Sequence, residues 1–134
     1  MPQVDALKQK NNGNVDVYRE ICGLPINTYF SGVKMKWLLE NAKLNHSDLG
    51  FGTIDTWLIS KLTQQEHFAT DSSNASRTML MDLHSLEWSE KMLSEFGIKK
   101  EWLPKIHKSS ASNFGTVKGI KQLEGVAISG VLGD

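Results

Sequence analysis

Three observations predict an α/β fold, mostly helical over this stretch and closed by one buried parallel strand. Apolar residues recur at helical spacing over 31–42 and again over 54–62. Ser89 and Gly97 bracket a third helical pattern, as a capping hydroxyl and a terminating glycine do. Residues 126–132 are apolar on both faces, the mark of a strand with neighbours on each side and layers above and below. Such a strand presents Asp134 just past its carboxyl end, where open α/β sheets place ligands and chemistry. Asp134 is therefore a candidate general base.

In chain order, Val4 and Leu7, then Val17, Tyr18 and Ile21, predict two short helices separated by Asn11-Asn12-Gly13-Asn14. Gly23-Leu24-Pro25 stops the second, because proline disfavours helical geometry in the residue before it. From Ser31, the residues Val33, Trp37, Leu38 and Ala42 predict an amphipathic helix ending near 41–43. Asn45-His46-Ser47-Asp48 reads as a turn. Ile54, Trp57, Leu58 and Leu62 then mark the inward face of a further helix, with Thr53 or Asp55 available to cap it. Residues 67–70 read as extended, and 71–76, dense in small groups that bond their own backbone, as a loop with a short helical turn. The stretch 79–83 is a short strand or buried coil, which periodicity does not separate. After the Ser89 helix come one more turn before Pro104 and a polar, glycine-containing surface connection over 109–122. Few segments here can flank the closing strand, so its partners are expected outside residues 1–134.

With 134 residues, 40% of them hydrophobic, the chain is long enough for one domain with a core. Lys plus Arg balance Asp plus Glu at 15 each, so no net field draws it to nucleic acid or to an anionic membrane. Cys22 is the single cysteine and cannot form an internal disulfide; it reads as a small packed side chain. The amino terminus lacks the layout of a secretory signal, and no apolar run approaches the roughly 20 residues that span a bilayer, so a cytoplasmic location is expected. His46, His67, His84 and His107 are scattered without metal-ligand spacing, and no glycine-rich phosphate loop occurs. Trp37, Trp57 and Trp88 read as core.

Three blocks go further. Gly23-Leu24-Pro25 through Tyr29-Phe30-Ser31-Gly32-Val33-Lys34-Met35-Lys36-Trp37 is the first, and Phe51-Gly52-Thr53-Ile54-Asp55-Thr56-Trp57-Leu58 the second. The third is Thr70-Asp71-Ser72-Ser73-Asn74-Ala75-Ser76-Arg77-Thr78. In wording and order they resemble the FGGY carbohydrate kinases, and the Tyr-Phe-Ser-Gly block resembles those members that act on glycerol. The likeness continues to Gly130-Val131-Leu132-Gly133-Asp134. It implies a ribonuclease H-like, actin-related amino-terminal domain, of which 1–134 is the later part, incomplete at both ends.

The resemblance also implies ATP-dependent phosphorylation of glycerol to glycerol 3-phosphate by the complete protein. Tyr29 would contact the glycerol hydroxyls, while Asp134 would bind the substrate hydroxyl and act as base. ATP and Mg2+ are the implied cofactors, with most of their binding residues outside this segment, which is expected to be inactive alone. The remainder of the kinase is the implied partner, and a homo-oligomer of the complete protein is compatible with it. Residues 118–125 lack the family's bacterial sugar-phosphate regulatory pattern, so no such regulation is expected. The alternatives are a kinase for another polyol or sugar, and a noncatalytic module pairing through an exposed sheet edge.

Overall fold

In the computed structural model, residues 1–111 and 113–133 are described. The chain divides into two compact units, one formed by Met1–Leu49 with Ser76–Trp102, the other by Gly50–Ala75 with the segment that starts at Leu103.

The first unit is helical. Helix α1 (Pro2–Lys10) opens with proline in its first turn and carries Asp5 early and Lys8 and Lys10 late, a charge order that complements its dipole. Val4 and Leu7 are its buried residues beside Gln3. Helix α2 (Arg19–Cys22) ends on Gly23, whose φ of 74° lies in the left-handed region that glycine enters without penalty. Helix α3 (Ser31–Asn41) starts against the 78–80 segment, where the Gly32 amide donates to the Thr78 carbonyl at 2.8 Å. A β-carbon on Gly32 would lie 2.8 Å from that same oxygen, so close approach requires the glycine of the Tyr-Phe-Ser-Gly block. Helix α6 (Glu90–Phe96) is capped by Ser89, which accepts from the Met92 amide, and ends on left-handed Gly97, as the sequence predicts. Val33, Met79, Leu80, Met92 and Phe96 form its fully buried centre. The 79–83 stretch resolves as coil, buried over 79–81 and exposed at Leu83, with one antiparallel bridge, Met81 to Trp88.

The second unit holds α4 (Ile54–Leu62), β1 (Ala69–Asp71), α5 (Ser72–Ser76) and β2 (Lys105–His107). The two strands pair in parallel, Ala69 with Lys105 and Asp71 with His107. Ile59, Ala69 and Phe114 make its core, with Ala111, Ile128 and Val131 packed against them. Phe114 and Val117 are buried and anchor this core, while the other described residues of the 109–122 connection are exposed or half-buried, as expected.

Three sequence expectations are corrected. Residues 126–132 do not form a buried parallel strand. They make isolated antiparallel bridges, Ala127 to Thr116 and Gly130 to Ser110, and Leu132 is 77% exposed. A strand apolar on both faces stays buried only between neighbours, and among the described residues this run has a partner on one side. The inward faces assigned to α3 and α4 are also rotated: Trp37 is 40% and Trp57 55% exposed. On α4 the buried residues are Asp55, Thr56 and Ile59, because the Asp55 carboxylate accepts from the Thr70 hydroxyl at 2.6 Å and draws that face inward. Trp88 is buried as expected.

Candidate active site

Tyr29 precedes α3 in a turn held by the Asn27 side chain, whose Oδ1 accepts from the Tyr29 amide at 2.9 Å. Phe30 beside it is buried, and the two rings meet edge to face at 5.4 Å. The Arg77 guanidinium covers the Phe30 ring at 5.1 Å, and the Lys34 ammonium lies 5.9 Å from the Tyr29 ring centre. Phe30 thus anchors the turn while Tyr29, 69% exposed, presents its phenol to solvent. A phenolic hydroxyl there both donates and accepts, which suits a small polyol that offers directed polar bonds and little apolar surface.

Asp134, the other residue singled out, lies outside the described residues. What precedes it is well defined. The Val131 amide donates to the Ser109 carbonyl at 2.8 Å and the Gly133 amide to Ser73 Oγ at 2.7 Å. Ser73 Oγ in turn donates to Asp71 Oδ2 at 2.6 Å, as does Ser109 Oγ at 2.6 Å. The other carboxylate oxygen accepts from the Asn74 amide at 3.1 Å and from Asn74 Nδ2 at 2.7 Å. Burial of Asp71 on its own pushes its carboxyl up, but the Ser109 and Ser73 hydroxyls and the Asn74 donors outweigh it and hold the group below the ordinary range. From the sequence this fully buried carboxylate reads as the partner of Arg77 in a structural ion pair rather than as a site residue. Its only sequence signal is the density of Asp, Ser and Asn over 71–76.

A cleft of about 500 Å³ runs between α4 and the 128–133 segment, walled by Ile54, Leu58 and Leu132 with Asn74 at its polar end. Its mainly apolar lining does not suit a triol. Among the described residues no three His, Cys, Asp or Glu side chains gather to hold a metal ion, and no helix is long and apolar enough to cross a membrane.

The whole of residues 1–134 matches the N-terminal domain of the FGGY family of carbohydrate kinases, and the chain belongs to that family. It is 45% identical over 130 residues to the glycerol kinase of Halothermothrix orenii, covering 93% of this chain and 26% of that protein. With the glycerol kinase of Pseudomonas fluorescens it is again 45% identical over 130 residues, covering 93% of this chain and 25% of the relative. Among solved structures, Plasmodium falciparum glycerol kinase with ADP superposes with a TM-score of 0.85 at 38% identity, covering 98% of this chain and 28% of that one. Gluconate kinase from Lactobacillus acidophilus superposes with a TM-score of 0.68 at 27% identity, covering 87% of this chain and 24% of that one. The actin-like ATPase fold expected from the sequence therefore holds, and the chain spans about a quarter of the length of the relatives it matches.

Proposed function

We propose that residues 1–134 are the later part of the amino-terminal domain of an ATP-dependent, cytoplasmic glycerol kinase, supplying part of the glycerol site and the catalytic base. The observation that carries this reading is the Tyr-Phe-Ser-Gly block, with Tyr29 exposed on a turn held by Asn27, in a chain 45% identical to glycerol kinases. Tyr29 binds and orients the triol through its phenolic oxygen. Asp134 accepts the proton of the attacking hydroxyl as the new oxygen–phosphorus bond forms and the bond to the departing nucleoside diphosphate breaks. Phosphoryl transfer asks little covalent work of a protein, so alignment and proton removal are what this segment contributes. Magnesium neutralises phosphate charge in such reactions.

The test is to complete the chain with the flanking sequence of its gene and assay glycerol 3-phosphate formation against xylulose and gluconate as alternative acceptors. Glycerol is expected to be turned over fastest. The 134-residue chain alone is expected to show no turnover.

A further inference from the structure

We infer that Asp71 is a positioning residue for the base at 134, acting through Ser73 on the peptide that leads into it. This rests on the reading of Asp134 given above. The link is short and continuous: the Asp71 carboxylate accepts from Ser73 Oγ at 2.6 Å, and Ser73 Oγ accepts from the Gly133 amide at 2.7 Å. Gly133 is the residue immediately before Asp134. A hydroxyl whose proton is committed to a buried carboxylate has its lone pairs turned toward its other partner, so the ionised Asp71 strengthens the bond to Gly133.

A second observation points the same way. A β-carbon on Gly133 would lie 3.3 Å from Asn74 Oδ1, so that neighbour would have to give by a few tenths of an ångström, and 3.4 Å from Ser73 Oγ, an ordinary contact. The chain at Gly133 therefore packs closely against α5. The Ser109 hydroxyl completes the clamp, binding the same oxygen of Asp71 while the Ser109 carbonyl accepts from the Val131 amide. Contacts from Ser73 and Ser109 thus converge on Val131 and Gly133, the run that leads into residue 134, while Asp71 itself is fully buried.

The experiment uses the complete kinase carrying this segment, with Ser73→Ala, Ser73→Thr and Gly133→Ala compared with wild type and with Asp134→Asn. Ser73→Ala is expected to lower kcat between about 10- and 100-fold, the cost of a small misplacement of a reacting group. The KM values for glycerol and ATP stay within about twofold, because binding is untouched. Ser73→Thr, which keeps the hydroxyl, restores most of the rate, and Gly133→Ala lowers kcat in the same sense by a smaller factor. Folded Ser73→Ala with wild-type kcat, or a loss confined to KM, overturns the inference. Should Ser73→Ala not fold, Gly133→Ala decides: wild-type kcat there overturns it too. Failure of the underlying reading is separately visible, since Asp134→Asn would then retain its rate whatever the Ser73 variants do.

Discussion

The two units of this chain are held together by different physics. In the helical unit, apolar residues from α1, α3, α6 and the 79–80 segment close on one another, and Val33, Met79, Leu80, Met92 and Phe96 lose all or nearly all contact with water. In the strand unit the large apolar residues Ile54, Trp57, Leu58 and Leu132 are exposed, while the buried positions include Asp55, Thr63, Thr70 and Asp71, each of them hydrogen-bonded. One unit is organised by burying hydrocarbon, the other by satisfying buried polar groups around a small core. The second arrangement ties a charged, hydrogen-bonded carboxylate through Ser73 to the Gly133 amide, which an apolar core would not supply.

The contrast is broken most severely in the helical unit. Phe96→Ala, at a fully enclosed site, is expected to cost about 3–5 kcal/mol by denaturant titration of the 134-residue chain. In the strand unit, Asp71→Asn turns a side-chain amide toward hydroxyl and amide donors and leaves some of them unpaired, at about 1–3 kcal/mol. The pH dependence separates the two variants. The Asp71 carboxyl is held below its ordinary range by Ser109, Ser73 and Asn74, so its stabilisation is present above the unfolded-state pKa of about 3.9 and lost as pH falls through the lower folded value. Asp71→Asn should flatten that acid limb, whereas Phe96→Ala should shift the whole curve without changing its shape.

Smaller effects sharpen the same comparison. Ser89→Ala removes the cap of α6 and is expected to lower stability by about 1 kcal/mol, read as a shift in the unfolding midpoint. Trp57→Ser, on the exposed face of α4, is expected to change the stability of this chain by less than about 0.5 kcal/mol. A Trp57 effect of several kcal/mol would show that the outward apolar face is part of a core.

Helix positions were legible in the sequence because their signals are local. Ser89, Gly97, Gly23 and the Asn-rich turn after α1 each act within a few residues, and the helices begin and end where these predict. The faces of α3 and α4 were not legible, because which side turns inward depends on distant partners. For α4 the decisive one is Thr70, whose hydroxyl pulls Asp55 into the interior against the apolar pattern. The closing run misled for a related reason: apolarity on both faces reports what a strand needs, not what residues 1–134 provide. Tyr29 was visible through its motif, and its exposure agrees with a polar binding role. Asp71 was hidden, since a carboxylate among serines and asparagines reads the same in sequence whether it is solvated or clamped.

In the proposed function the proton of the attacking hydroxyl passes to Asp134. Single-turnover and steady-state rates of glycerol 3-phosphate formation by the complete kinase with Asp134→Asn test this most directly. Loss of about 10²–10⁴-fold in kcat with folding and ATP binding preserved is the predicted result; an undiminished rate contradicts it.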